Sequence, residues 1–487
     1  MNPAQKSHYY SVSHDGNPVF TEVISKFDVP VHVARFVHFG PSRIRVEVPR
    51  DIESFYVGPE SRAIDAEVRD GGIEFPLPLA GNYVVRVNEL GYLFLFADQD
   101  ERLNFPELAT RARRIEEFGV PADDAVVRTE QIQSAIDAVS IDPNSDLLVF
   151  SSGCYLTGTL QLRSDVTLFL EEHAWLIGSD DPAHFPDQSE SFHEGEWSYA
   201  RSFLVAHGVE NAGIAGNGIV DGNGKSLKLQ GLKANLLLIR DCRNISVFGV
   251  QLRDPSGWNT HVFASDSVAM RAVKIINNVP SVNWTNTDGI DPDCSRNVTI
   301  ESSFLYCGDD CFAIKGKSRT PSFARNTEHI LVRGSVCISA CAALKIGTET
   351  VADWIHDVVF EDNDVVFARR ALVIEAFDRS LVSSVVFRNT RVEVLNDGPG
   401  IERPLLVDFE IPSTAFRPCE GAAVVRDIRV EELTLRTPVS SKILGRTPEN
   451  RVDGVTIDGL TIAGRRVRDL REALIQTNEY VNDLVLK

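Results

Sequence analysis

The chain has 487 residues, 43% of them hydrophobic and 24% charged, an ordinary globular composition that excludes disorder as the main state. Its 69 acidic against 49 basic residues give a formal net charge of −20. An acidic surface of this size repels a phosphate backbone, so neither nucleic acid nor an anionic membrane is expected as a partner. With 26 Phe and only 2 Met, the composition favours β-structure over a helical bundle.

From the N-terminus, no stretch has the apolar length of a signal peptide or a membrane span. The chain as given is therefore expected to be soluble and cytoplasmic, although secretion by a removed signal would leave the same sequence. Between about 19 and 99, Ile44, Val46 and Val48 alternate with Arg43, Arg45 and Glu47. Tyr83, Val85 and Val87 alternate similarly, with Asp70-Gly71 as a turn between. This predicts a small N-terminal β-sandwich, assigned to residues 1–105. A charged connector follows over 101–128. Ile132, Ile136 and Val139 then fall on one helical face.

From Leu147 the pattern becomes a repeat of polar–Val/Ile–x–apolar. It occurs at Asp165-Val166-Thr167-Leu168, Asn244-Ile245-Ser246-Val247, Asn297-Val298-Thr299-Ile300 and His329-Ile330-Leu331-Val332. It continues at Asp357-Val358, Ser384-Val385, Asp427-Ile428 and Gly454-Val455, with Ser267-Val268 a weaker copy. The spacings from 245 to 385 are 23, 30, 32, 28 and 27 residues. Strands recurring at such a period, with no helix inside the repeat, predict a parallel β-helix over 106–487. Leucine-rich repeats would need Leu at fixed positions, and propeller blades would need four strands per repeat. Two longer gaps, 178–200 with His184, Asp187, His193 and Trp197, and 396–424, read as excursions that wall a cleft.

Eight cysteines are too few for a disulfide scaffold. Cys307/Cys311 and Cys337/Cys341 share a C-x3-C spacing, but they lie in apolar runs. They are read as buried thiols stacked between repeats, and no metal is expected.

Coils of a parallel β-helix stack about 4.8 Å apart, so carboxylates distant in sequence can meet on one face. Asp288 and Asp309 are 21 residues apart, close to one coil, and Asp310 follows directly. Three acids in one patch cannot all ionise cheaply, so one is expected to stay protonated beside ionised neighbours. An acid beside a carboxylate base is what glycosidic cleavage requires. Turns rich in Asn, Asp and Gly are also ordinary coil corners. Two such elements one coil apart favour the functional reading.

Leu156-Thr157-Gly158-Thr159-Leu160, Gly216-Asn217-Gly218-Ile219-Val220-Asp221-Gly222, Asn286-Thr287-Asp288-Gly289-Ile290-Asp291 and Gly308-Asp309-Asp310-Cys311, with Ser256-Gly257-Trp258-Asn259-Thr260-His261, resemble the polygalacturonase (pectinase) family of glycoside hydrolases. The likeness runs over about residues 125–470. It implies a right-handed β-helix and inverting hydrolysis, with Asp309 as general acid and Asp288 and Asp310 activating the attacking water. Two departures stand out. Cys341-Ala342-Ala343-Leu344-Lys345-Ile346-Gly347 falls where the family has Gly-His-Gly. Val373-Ile374-Glu375 falls where it has Arg-x-Lys, the grip on the galacturonate carboxylate. An acid in that grip predicts a neutral sugar at the cleavage point rather than strict polygalacturonase activity.

Trp258, Asn259, His261, Trp284, Asn286, Lys315, Lys345, Glu349 and Glu375 are the candidate substrate-binding residues: aromatic faces to stack on a sugar, and polar groups for its hydroxyls. No cofactor is implied. The alternatives are a dextranase- or isopullulanase-like glucanase, a polysaccharide lyase or uronate epimerase, and a non-catalytic carbohydrate-binding β-helix. The absence of a clear cleft Arg argues against the lyase.

Overall fold

A computed structural model describes residues 4–100, 110–122, 126–191, 199–279, 286–317, 319–320, 323–395, 404–412 and 421–487. The chain divides into two compact units, one of residues 1–112 with 278–283, the other of residues 113–277 and 284–487.

The first unit is a β-sandwich. One sheet runs in the order Gln5–Lys6, Thr21–Ile24, Val31–Val37, Leu93–Asp98, Gly81–Val87, Phe55–Gly58. The other runs Asn17–Val19, Ser11–His14, Ser42–Glu47, Gly72–Leu77, Glu67–Arg69. Ile44, Val46, Ile73 and Phe75 from one sheet meet Tyr83, Val85, Val87 and Leu95 from the other in a single apolar cluster. The predicted alternation holds on Ser42–Glu47, but Gly81–Val87 also buries Val84, so that strand is covered on both faces. Asp70 and Gly71 take positive φ of 46° and 74° between two paired strands, the turn their sequence calls for.

Near the start of the second unit stands the expected helix, Thr129–Ser140, which buries Ile132, Ile136 and Val139. The rest is a right-handed parallel β-helix with three strand faces. Its repeat signature has a direct structural meaning. Val268, Val298, Ile330, Val358, Val385, Ile428 and Val455 pair in register from coil to coil and stack inside. Each buried Val or Ile contributes about 1.5–3 kcal/mol relative to exposure. The polar residue opening each copy lies in the left-handed region: Asp165, Asn244, Ser267, Asn297, His329, Asp357, Ser384, Asp427 and Gly454 all have φ between 54° and 65°. Asn, Asp and Gly tolerate that conformation best, which is why the position is polar. Their side chains also bond across coils, as Asn244 Nδ2 does to Asn211 Oδ1 at 2.8 Å and Asn211 Nδ2 to Asp165 Oδ1 at 2.9 Å.

A separate sheet, with 11 strands among the described residues, forms the face that carries the site. In chain order its central strands are Thr260–Phe263, Ile290–Asp293, Phe312–Gly316, Ala342–Thr350, Arg370–Glu375, Leu405–Glu410 and Ser441–Leu444. The strand Leu405–Glu410 corrects the reading of 396–424 as an excursion throughout. A single isolated strand gives no periodic signal, yet it is buried and pairs with Arg370–Glu375. His193, Trp197, Trp284 and Cys419 lie outside the described residues. Among the described residues, no helix is long and apolar enough to cross a membrane.

Candidate active site

The carboxylates sit at the corner where each coil enters the eleven-stranded face. Four backbone rungs align five coils there: Asn259 N–H donates to Asp288 O, Gly289 N–H to Asp310 O, Cys311 N–H to Ala342 O, and Arg370 N–H to Cys341 O, at 2.8–2.9 Å. Gly289 is needed for this approach rather than for a turn. A Cβ there would lie 2.4 Å from Cys311 O and 2.6 Å from Leu305 Cδ2.

Asp288 and Asp310 are buried, whereas Asp309 is half-buried. Asn286, at φ 69°, turns its backbone N–H onto Asp309 Oδ2 at 2.6 Å. Asp310 N–H reaches Asp309 Oδ1 at 3.1 Å. Asp310 Oδ1 accepts from Ala342 N–H at 3.1 Å, and its Oδ2 is 2.9 Å from Lys345 Nζ. Asp288 Oδ2 lies 3.6 Å from Lys315 Nζ. The same ammonium is 3.6 Å from Asp291 and 3.2 Å from Glu349.

Burial, then the charges of Asp291 and Asp309, drive the Asp288 carboxyl well above the usual carboxylate range. Burial and the neighbouring Asp310 raise Asp309, opposed by the Asn286 N–H. Burial also pushes Asp291 up to about 7 against the pull of Lys315. The expectation of one elevated acid is thus too few. Asp288, Asp291 and Asp309 are raised together and titrate as a coupled group. Lys315 and Lys345 keep their charge despite burial, because Glu349, Asp291 and Asp288 surround the first and Asp310 and Glu375 the second.

The structure brings most of the predicted residues to this patch but changes several roles. Trp258 is 2% exposed, with Lys315 Nζ 4.6 Å and Lys317 Nζ 4.4 Å from its ring centroid. It supports the lysines through cation–π contact instead of offering a face to a sugar. His261 and Asn259 are wholly buried and cannot touch a ligand. His261 Nε2 meets Asp293 Oδ2 at 3.1 Å, and burial lowers its pKa to about 4. Asn259 donates to Asn277, whose own amide binds the Thr287 and Asp288 carbonyls. Asn286 acts through its backbone. Trp284, outside the described residues, has no assigned place.

Glu375 carries the largest correction. From sequence it is an acid standing where the family grips a uronate, in a cleft without a clear Arg. In the structure Arg370 Nη1 is 2.6 Å and Lys345 Nζ 3.0 Å from its two oxygens, and Arg370 also meets Asp408 at 3.0 Å. Burial alone would raise the Glu375 carboxyl, but these two cations hold it at about 2. Arg370 was missed because it enters the strand five residues before Glu375. Only the pairing of Ala342 with Arg370 shows that it lies one coil beyond Lys345 and two beyond Asp310.

Tyr199 was also missed: it packs on Trp258 with ring centroids 5.2 Å apart, and the charges of Asp288 and Asp309 add to burial in raising its pKa. Cys307, Cys311 and Cys337 are buried free thiols, as read from sequence. Cys341 is partly exposed, and its Sγ and the Asp309 and Asp310 carboxylates lie within 4.8 Å of one another. The donor set could hold a cation, but the Lys345 ammonium already stands on Asp310.

Residues 144–470 match the sequence profile of Glycosyl hydrolases family 28. The chain belongs to glycosyl hydrolase family 28. Among curated relatives of this family 28 chain, a probable polygalacturonase of Vitis vinifera is 28% identical over 282 residues, covering 54% of this chain and 57% of that one. The chain therefore spans just over half the length of that relative. An endo-polygalacturonase of Pectobacterium carotovorum subsp. carotovorum is 26% identical over 364 residues, covering 68% and 84%. A family 28 exopolygalacturonase of Yersinia enterocolitica superposes with a TM-score of 0.58 at 17% identity, over 91% of this chain and 96% of that one, a likeness of fold.

Proposed function

We propose that this family 28 protein is an inverting glycoside hydrolase acting on a poly- or oligosaccharide whose sugar at the cleavage point is neutral. The observation that carries the reading is the trio Asp288, Asp309 and Asp310 on adjacent coils, with two of the three carboxyls raised by burial and by one another. Asp309, the least buried, donates its proton to the leaving glycosidic oxygen. Asp288 and Asp310 hold a water and take its proton as it attacks the opposite face of the sugar. Inversion needs acid and base roughly 6.5–9.5 Å apart, within reach of neighbouring coils.

The neutral substrate is supported by the charge inventory. Lys315, Lys345 and Arg370 each already contact at least two protein carboxylates. A sugar carboxylate would enter a field of acids whose cations are engaged, whereas hydroxyls can donate to those acids. Arg370 supplies one element of the lyase or epimerase alternative, but Glu375 and Asp408 occupy it.

The test is incubation with pectic, glucan and fructan oligosaccharides, followed by NMR of the first product. The expected result is new reducing ends of inverted anomeric configuration with no unsaturated product. A retained anomer would overturn the mechanism. Unsaturated product would indicate a lyase, and no turnover across the panel would favour a binding module.

A further inference from the structure

Glu375 lies on the strand Arg370–Glu375, two residues beyond Val373, the residue paired with Lys345 on the preceding coil. Arg370 opens the same strand. The three side chains are only 5–7% exposed. Arg370 and Lys345 converge on the two oxygens of this single carboxylate, at 2.6 and 3.0 Å. Lys345 is also the cation on Asp310, so one ammonium joins Glu375 to the reacting group. Two nearly buried cations fixed on opposite sides of one carboxylate make an anion site whose anion belongs to the protein.

We infer that Glu375 is the specificity residue of this cleft: its carboxylate permanently fills a cation pair, Arg370 and Lys345, that would otherwise accept the carboxylate of a uronic acid. The inference rests on the proposed reading that sugars bind at this trio. It explains how the site rejects acidic sugars without losing its cations. A uronate must displace an internal carboxylate held by two charge-assisted contacts, and the displaced Glu375 would remain buried and unpaired. Removing the Glu375 charge leaves Arg370 and Lys345 each with one protein carboxylate and opens the position between them.

Binding of galacturonate and of galactose is measured by calorimetry on the full-length protein and on Glu375→Ala, Glu375→Gln and Glu375→Ala/Arg370→Ala. Wild-type protein should bind galacturonate no better than galactose. Glu375→Ala should bind galacturonate at least tenfold more tightly than wild type, and adding Arg370→Ala should remove that gain. Glu375→Gln keeps the side-chain shape and should show a gain in the same direction. Preferential galacturonate binding by wild type, unchanged binding in the folded Glu375 variants, or a gain that survives loss of Arg370 would each overturn the inference. The readout is binding, so absence of turnover would count against the hydrolase and leave this result standing.

Discussion

Asp291 is wholly buried, none of its oxygens makes a hydrogen bond among the described residues, and its nearest cation, Lys315, is shared with Asp288 and Glu349. Its carboxyl is raised from 3.8 to about 7. In the unfolded chain this group ionises near pH 4, but the folded state holds the proton until about pH 7. Stability therefore falls as pH rises from 4 to 7, and the loss is complete above that. The gap of about 3 units at 1.36 kcal/mol each amounts to about 4 kcal/mol, with the pull of Lys315 already included. Asp291→Asn keeps the shape and cannot ionise. Urea unfolding should find the variant and wild type nearly equal at pH 4 and the variant more stable at pH 8, by up to about 4 kcal/mol. Loss of one acid beside Asp288 should also shift the acidic limb of the activity profile to lower pH. A variant less stable than wild type at pH 8 would refute the reasoning, since the ion pair with Lys315 would then outweigh the cost of burial. The expected outcome marks Asp291 as a charge kept at the site at the expense of stability.

Two further outcomes follow from the same geometry. Asp309→Asn should lower kcat roughly 10²–10⁴-fold with little change in KM, and retained turnover would remove Asp309 from the acid role. Gly289→Ala should destabilise by about 1–3 kcal/mol, because the new methyl meets the Cys311 carbonyl of the next coil. It should cost activity as well, by moving Asp288; an unchanged Tm would contradict the close approach.

The solenoid was legible because its physics is local and repeated. One Val or Ile points inward per coil, and the residue before it must tolerate positive φ. Both leave a mark in every copy, from Asp165-Val166 to Gly454-Val455. Asp288 and Asp309 were legible for the same reason, since coil length converts a sequence separation into a contact. The strand Leu405–Glu410 was hidden, having no second copy nearby to give it a period.

The sequence by itself therefore determined the sandwich and the β-helix, and singled out three acids that the fold brings to one patch. Only the tertiary structure decided what the other charges do. Lys345 and Glu375 read from sequence only as separate polar groups for a sugar, and Arg370 gave no signal at all. Folding places them within hydrogen-bond reach, in a medium where a buried charge must find its partner. Trp258 and His261 likewise had the right chemistry for a sugar, but packing put them beneath the lysines and carboxylates. Which side chain faces the cleft depends on register across coils, and no single stretch of sequence carries that information.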